Sequence, residues 1–232
     1  MSDTIRLTQN FYQQCRKAAG NSNSPELNKT KYVGWDSVET QILGFKVATD
    51  LPWIDWKEVK SVLDVGCGYG RLLEFLADNL FYEGDYYGID IMPDFILEAI
   101  LNYGSKYKSR FSTGDFLERD WNNEKFDVVI SLGGISVNHD YPAQYGQKSV
   151  EYAQRFISKT VELSNSAISL YFINADNAKA EYSKLIACYK ISEIESTIVK
   201  ACDRRLEDLT FVSYPDPGKE MTIAKIKLFS QH

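Results

Sequence analysis

The stretch LDVGCGYGRL occupies residues 63–72 and places three glycines, Gly66, Gly68 and Gly70, between an apolar run and an amphipathic run. An apolar run followed by glycines and then by a helical pattern indicates a buried strand, a tight turn and a helix. Because glycine has no Cβ, a ligand can touch the backbone of such a turn. Glycines alone also suit a turn that only connects a strand to a helix.

Two acidic residues stand at the ends of the next predicted strands. Asp90 ends the strand predicted over 85–91, and Asp115 with Phe116 closes the strand predicted over 109–116. An acid after the second strand can accept hydrogen bonds from both hydroxyls of a ribose. An acid and an aromatic ring after the third can contact the amine and the face of adenine. Either acid alone would suit a solvated loop, but both together predict a nucleoside-binding crevice.

Short apolar runs alternate with helical segments from residue 60 onward, which is typical of strand-helix units around a parallel sheet. Further strands are predicted over 61–66, 126–134 and 167–174, and helices over 70–80, 93–104, 149–165 and 176–191. Two final runs, over 206–214 and 220–229, are separated by a short turn that permits antiparallel pairing. The predicted fold class is therefore α/β.

The spacing of the glycines bears on the charge of the ligand. A dinucleotide-binding turn is usually Gly-x-Gly-x-x-Gly and faces a pyrophosphate. Here the spacing is Gly-x-Gly-x-Gly, and Asp64 stands two residues before the first glycine. A carboxylate at that position suits a cation better than a phosphate. S-adenosylmethionine carries an ammonium and a sulfonium and no phosphate, so it is the predicted cofactor.

Four segments together resemble the class I S-adenosylmethionine-dependent methyltransferases: VLDVGCGYGRL (62–72), YYGIDIMPDFI (86–96), Gly114-Asp115-Phe116 and FDVVISLGGI (126–135). The resemblance implies a Rossmann-like three-layer sandwich with a seven-stranded, mostly parallel sheet whose last strand is antiparallel. It also implies contacts to the methionine moiety, the ribose, the adenine and the sulfonium. The implied cofactor-binding residues, in chain order, are Asp64, Gly66, Gly68, Gly70, Asp90, Ile91, Asp115, Phe116, Ser131 and Leu132.

The N-terminal part of the chain is predicted to be a helical cap over residues 1–59, followed by the methyltransferase domain over 60–232. The segment YVGWDSVETQILGF (32–45) resembles the cap helix of small bacterial members of the family, where it closes over cofactor and substrate. Tyr32 and Trp35 are therefore candidate substrate-binding residues. Both also suit a role as core aromatics beneath a lid.

The fourth predicted strand is followed by ISVNHDYP (135–142), which holds the candidates for catalysis. His139 is the candidate general base, since a histidine has an ordinary pKa of about 6.5. Asp140 is placed to orient His139, and Tyr141 is a candidate substrate-binding residue. The same residues also suit a polar turn. The segment matches neither the Asn-Pro-Pro-Tyr motif of nucleic-acid amino methyltransferases nor the metal-binding acids of catechol-type enzymes.

Composition limits the partners of the protein. The 26 basic and 32 acidic residues give the 232-residue chain a net charge of −6, which disfavours a broad nucleic-acid surface. The four cysteines form no Cys-x-x-Cys pair and there are only two histidines, so no metal site is expected. No apolar run suits a bilayer span or a signal peptide, so we expect a cytoplasmic protein without a membrane partner.

The predicted function is transfer of a methyl group from S-adenosylmethionine to an oxygen or nitrogen atom of a small-molecule acceptor. Two alternatives stay open at this point. One is a non-catalytic protein that binds a nucleoside cofactor, and the other is an NAD(P)-dependent oxidoreductase built on a similar sheet.

Overall fold

A computed structural model describes residues 3–20, 24–138, 150–176, 186–216 and 219–229. The helices in these ranges are α1 (Asp3–Ala19), α2 (Pro25–Tyr32), α3 (Val38–Thr49), α4 (Arg71–Leu80), α5 (Pro93–Tyr103), α6 (Val150–Leu163) and α7 (Ile191–Cys202). The strands are β1 (Ser61–Val65), β2 (Asp85–Asp90), β3 (Ser109–Thr113), β4 (Phe126–Ser131), β5 (Ser164–Asn174), β6 (Cys188–Tyr189), β7 (Leu206–Asp216) and β8 (Lys219–Leu228).

The strands form one sheet in the order β3-β2-β1-β4-β5-β8-β7, with β6 beside β5. The five neighbouring strands β3, β2, β1, β4 and β5 run parallel to one another, whereas β8 runs antiparallel to both β5 and β7. The prediction of a mostly parallel sheet with an antiparallel last strand is confirmed, and the short β6 brings the described strands to eight where seven were predicted. The strand order reverses between β1 and β4, and the carboxyl ends of parallel strands form a ligand crevice at such a point.

Strand β1 lies in the middle of the sheet and is buried on both faces. Val62 and Leu63 are both completely buried. Because successive side chains of a strand point to opposite faces, they belong to different core clusters. Val62 packs in the cluster that includes residues of α3 and α4, and Leu63 packs in the cluster that includes residues of α6 and α7. The result is the expected sandwich of helices, sheet and helices.

Helix α3 packs directly on the sheet. It begins with a capping box, in which the Thr40 backbone N–H donates to Ser37 Oγ at 3.2 Å and the Ser37 N–H donates to Thr40 Oγ1 at 3.1 Å. Phe45 and Ala48 are buried on its inner face, in the same cluster as Val62. The capping box therefore fixes where α3 begins and so the direction of the backbone immediately after Trp35.

The helix predicted over 176–191 is wrong at its carboxyl end, and residues 177–185 lie outside the described part of the chain. Cys188 and Tyr189 form β6 by pairing with β5, and α7 begins only after them. The Tyr189 side chain is 1% exposed and its hydroxyl donates to the Ile135 carbonyl oxygen at 3.1 Å. Pairing with β5 and burial of Tyr189 thus outweigh the local helical pattern.

Candidate active site

Three adjoining pockets lie at the carboxyl ends of β1, β2 and β4, and Tyr12 of α1 contributes to the wall of each. We name them the Asp115 pocket, the Asp64 pocket and the aromatic pocket; the last is bordered by Phe11, Tyr12, Trp35 and Tyr171. Their volumes are about 510, 510 and 500 Å³, open solvent included.

Bare backbone forms part of the wall of the Asp115 pocket. Gly66, Gly114 and Gly133 all border this pocket, and a Cβ built on any of them would meet no atom within 4 Å. The backbone N–H of Gly66 donates to the Ile89 carbonyl oxygen at 2.8 Å, which holds the turn against the end of β2. Gly66 has φ +79°, a conformation that glycine adopts without strain. A ligand can therefore lie directly against peptide groups at three points.

The other two glycines of the turn have different surroundings. The Gly68 N–H donates to Asp90 Oδ2 at 2.8 Å, and Gly68 borders the Asp64 pocket. Gly70 borders none of the three pockets; a Cβ there would lie 3.0 Å from the Phe111 ring and 3.1 Å from Tyr103. Gly70 therefore lies where the start of α4 packs against β3 and α5, and not in a pocket wall.

Asp90 borders both the Asp115 pocket and the Asp64 pocket. Its side chain is buried, and its two carboxylate oxygens accept the backbone N–H groups of Gly68 at 2.8 Å and Met92 at 2.9 Å. Burial raises the pKa of Asp90 to about 6, although the backbone hydrogen bonds oppose the shift. Each carboxylate oxygen has a second lone pair, so the group can still accept bonds from two ligand hydroxyls.

Asp64 borders the Asp64 pocket and is only 3% exposed. The hydroxyl of Tyr86 donates a hydrogen bond to its carboxylate. Burial raises the pKa of Asp64 to about 7; the Tyr86 hydrogen bond opposes the shift and the charge of Asp90 adds to it. Two carboxylates in one buried wall favour a cationic ligand, because a positive charge stabilises the ionised form of both.

We expect the free energy of unfolding of the ligand-free protein to fall as the pH rises from about 4 to about 7. In this window folded Asp64, with its pKa near 7, holds a proton that the unfolded chain, with the ordinary pKa of 3.8, has already released. Asp90 acts in the same direction. Urea denaturation across this pH range should show a shallower decline for Asp64→Asn than for the parent.

The matched control for this measurement is Asp85→Asn, because Asp85 is exposed at the opposite end of β2. It should keep the pH dependence of the parent protein. An Asp64→Asn variant whose stability declines as steeply as that of the parent would show that Asp64 is not the group that holds the proton.

Asp115 and Phe116 border the Asp115 pocket together with Ile91. The Asp115 Oδ1 accepts the Leu117 N–H at 2.9 Å, which fixes the carboxylate in a tight turn. The Phe116 ring is buried and packs on Phe156 with ring centroids 4.8 Å apart. An acid beside apolar and aromatic side chains is a combination that suits an adenine ring.

Ser131 and Leu132 are neighbours in the chain, but only Leu132 borders the pockets. Ser131 is buried, its hydroxyl donates to the Val65 carbonyl oxygen at 2.9 Å, and its Oγ accepts the Gly134 N–H at 3.2 Å. These bonds join the ends of β1 and β4, and Ser131 borders none of the three pockets. Leu132 borders the Asp64 pocket and the aromatic pocket.

The candidate substrate-binding and catalytic residues are only partly within the described structure. Trp35 borders the Asp64 pocket and the aromatic pocket, and its buried ring lies 6.0 Å from that of Tyr171, so it is both a core aromatic and a wall residue. Tyr32 borders none of the three pockets and lies beneath the Arg16 guanidinium, 5.8 Å from the ring centroid. His139, Asp140 and Tyr141 lie outside the described residues.

Two tyrosines of the site were missed by sequence reasoning. Tyr12 packs edge-on against Phe95 with ring centroids 5.6 Å apart, and burial together with the charge of Asp90 raises its pKa. Tyr152 of α6 borders the Asp115 pocket, and burial and the charge of Asp115 raise its pKa. Both hydroxyls therefore stay protonated and can donate hydrogen bonds. Neither residue stands in a motif that marks it.

Arg71, the first residue of α4, supplies a positive charge to the Asp64 pocket. Its guanidinium donates to Gln41 Oε1 at 2.8 Å, to Thr30 Oγ1 at 3.1 Å and to Glu26 Oε1 at 2.6 Å. These bonds hold the guanidinium beside the glycine turn. The Asp64 pocket thus presents carboxylates and a guanidinium together, which suits a zwitterionic ligand group.

Comparison with known proteins supports the resemblance of the four segments. Residues 62–156 match the model of a family described as "Methyltransferase domain". A phosphoethanolamine N-methyltransferase of Arabidopsis thaliana is 34% identical over 95 residues, which are 40% of this chain and 19% of the relative. The ribosomal RNA large subunit methyltransferase E of Brachyspira hyodysenteriae is 32% identical over 78 residues, which are 32% of this chain and 36% of the relative. The chain thus covers well under half of these relatives.

Solved structures match a larger share of the chain. The N-methyltransferase NodS of Bradyrhizobium japonicum, in complex with S-adenosylhomocysteine, has a TM-score of 0.58 at 14% identity and covers 94% of this chain and 98% of its own. A TehB-like methyltransferase of Corynebacterium glutamicum has a TM-score of 0.52 at 15% identity and covers 96% and 97%. These likenesses confirm the predicted fold. Among the described residues, no helix combines the length and apolar character that a bilayer span needs.

Proposed function

We propose, from the premise that this chain contains a class I methyltransferase domain, that the protein transfers a methyl group from S-adenosylmethionine to a small-molecule acceptor. The observation that carries the proposal is the pair of buried carboxylates, Asp64 and Asp90, beside the glycine turn. A pyrophosphate beside Asp64 would face a negative charge, whereas the ammonium at the amino-acid end of the cofactor would be stabilised by it. Asp90 would serve the ribose.

The residues present fit this cofactor. Bare backbone at Gly66, Gly114 and Gly133 leaves room for a nucleoside in the Asp115 pocket, and Asp90 would accept the ribose hydroxyls. Asp64 and Arg71 would hold the amino-acid end in the Asp64 pocket. When bound, the cofactor supplies an electrophilic methyl group. The protein supplies alignment and exclusion of water, and good alignment contributes about 7–11 kcal/mol to lowering a barrier.

The segment 32–45, expected to be the cap helix, lies mostly in α3, which packs on the sheet. Within the proposed division into residues 1–59 and 60–232, helices α1 and α2 are proposed to form the cap over this site instead. Ion pairs Arg16–Asp94 and Lys29–Glu98 join these helices to α5. Glu26 of α2 pairs with Arg71 at 2.6 Å. Partly exposed ion pairs of this kind each contribute only about 0–1 kcal/mol, and the packing of Tyr12 on Phe95 adds an apolar contact between α1 and α5.

Isothermal titration separates this function from the oxidoreductase alternative. We expect S-adenosylhomocysteine to bind the protein and NAD to give no binding heat. The reverse result would overturn the proposal. A protein that binds S-adenosylhomocysteine but transfers no labelled methyl group to any member of a broad acceptor panel would instead be the non-catalytic alternative.

A small-molecule acceptor is favoured over a nucleic acid by the charge of the protein. The net charge of −6 opposes binding of a polyanion. One relative carries the name of a ribosomal RNA methyltransferase, so RNA is the acceptor to test against. We expect labelled methyl transfer to small nucleophiles and none to ribosomal RNA, and transfer to RNA at a comparable rate would contradict the choice of acceptor class.

Replacing Arg71 with methionine should lower the affinity for S-adenosylhomocysteine by about tenfold, as expected from losing one charge-assisted hydrogen bond. Methylthioadenosine lacks the amino-acid end, so its affinity should stay unchanged, and this ligand also reports whether the fold is intact. The control is Arg204→Met, because Arg204 is exposed after α7. Equal losses for both ligands in Arg71→Met would mean that Arg71 does not contact the amino-acid end.

A further inference from the structure

The aromatic pocket adjoins both halves of the proposed cofactor site. It shares Trp35 and Leu132 with the Asp64 pocket, and it shares Gly133 with the Asp115 pocket. Tyr12 borders all three. A molecule in the aromatic pocket would therefore lie next to the boundary between the nucleoside end and the amino-acid end of a cofactor.

The wall of the aromatic pocket, as far as the described residues form it, contains no side chain with a formal charge. Its polar side-chain groups are hydroxyls and one indole N–H. The charged residues Asp64, Arg71 and Asp90 border the Asp64 pocket instead. An ion placed among these side chains loses its hydration; an anion gains no partner, and a cation regains only part of the loss from an aromatic face, whereas an apolar ring gains from the burial.

Ser136 provides one unused polar group in this wall. Its Oγ is shielded from solvent and has no hydrogen-bond partner among the described residues. The Ser136 backbone is fixed, because its N–H donates to the Gly133 carbonyl oxygen at 3.0 Å and its carbonyl oxygen accepts the Ala187 N–H at 2.9 Å. A buried hydroxyl is normally paired, so a ligand hydroxyl is a suitable partner for it once the Ser136 side chain turns from its shielded position toward the pocket.

We propose that the methyl acceptor is an uncharged, largely apolar ring compound whose hydroxyl group is hydrogen-bonded by Ser136 in the aromatic pocket. The proposal rests on the proposed methyltransferase function and specifies the substrate class of the same site.

The test compares three probes that share one ring: naphthol, which is neutral, naphthylmethylamine, which is a cation at neutral pH, and naphthoate, which is an anion. Each is titrated calorimetrically into protein saturated with S-adenosylhomocysteine. We expect naphthol to bind at least about tenfold more tightly than either charged probe. Equal or tighter binding of the amine or the carboxylate would overturn the proposal.

Variants of Ser136 test the position of the ligand. Ser136→Ala should weaken naphthol binding by about three- to tenfold, and Ser136→Leu, which fills the pocket, should abolish it. Both should bind S-adenosylhomocysteine like the parent, because Ser136 borders neither the Asp115 pocket nor the Asp64 pocket. The control Ser192→Leu, exposed in the first turn of α7, should change neither affinity.

The outcomes separate this inference from the function on which it rests. Naphthol binding that is unchanged in Ser136→Leu overturns the assignment of the aromatic pocket. A parent protein that binds S-adenosylhomocysteine but no naphthol overturns the substrate class alone. A parent protein that binds no S-adenosylhomocysteine overturns the proposed function itself.

Discussion

Replacing Asp90 with alanine is expected to lower the affinity for S-adenosylhomocysteine by about a hundredfold. The change removes the proposed acceptor of the ribose hydroxyls and also leaves the backbone N–H groups of Gly68 and Met92 without their carboxylate partner. A buried donor left unpaired costs about 1–3 kcal/mol. The glycine turn would then lose the hydrogen bond that joins Gly68 to the end of β2. The bound nucleoside would lose the acceptor for its ribose hydroxyls.

The affinity is measured by isothermal titration, with Asp85→Ala as the control. Asp85 is exposed at the opposite end of the same strand, so its replacement should leave the affinity unchanged. Thermal unfolding of both variants shows how much of any loss comes from the fold. An Asp90→Ala protein that is folded and binds as tightly as the parent would remove Asp90 from the site.

Replacing Gly66 with alanine should weaken S-adenosylhomocysteine binding by about tenfold or more. The added methyl group would project from the wall shared by the Asp115 and Asp64 pockets, into space where no protein atom lies within 4 Å. Overfilling a packed contact costs about 1–3 kcal/mol, which corresponds to a loss of about five- to 150-fold. The φ of +79° adds backbone strain of about 1–2 kcal/mol to the folded protein.

The matched control for Gly66→Ala is Gly20→Ala. Gly20 also has a positive φ, +61°, and also has no atom within 4 Å of a built Cβ, but it borders none of the three pockets. Each kcal/mol of strain should lower the melting temperature by about 2–4 °C in both variants. Only Gly66→Ala should lose affinity, and equal affinities in the two variants would contradict contact between the ligand and the turn.

The sheet could be predicted because its signals are local. Strands such as β1 and β4 are short apolar runs, and the glycines and acids that follow them stand at fixed distances along the chain. The same logic brings Gly66, Asp90 and Asp115 to one edge of the sheet, where the structure has them bordering one pocket. Their contacts with a cofactor stay predictions.

The rest of the site depends on contacts between distant parts of the chain. Tyr12 lies in a polar N-terminal helix whose pattern says nothing of the crevice, and only tertiary packing places it in the same pocket walls as Asp90. Ser131 is predicted to lie near the sulfonium of the cofactor, yet its hydroxyl donates to the Val65 carbonyl oxygen and so joins β1 to β4. A Cβ on Gly70 would likewise meet Phe111, a residue of a strand that the sequence of the turn does not identify.

The shared position of Tyr12 has a consequence for engineering the protein toward other acceptors. A library that varies this residue would alter all three pockets at once, so a change in acceptor preference could not be separated from a loss of cofactor. Phe11, Ile173 and Met221 border the aromatic pocket alone. Randomising those positions is the economical route to new specificity, because it leaves the residues that border the Asp64 and Asp115 pockets unchanged.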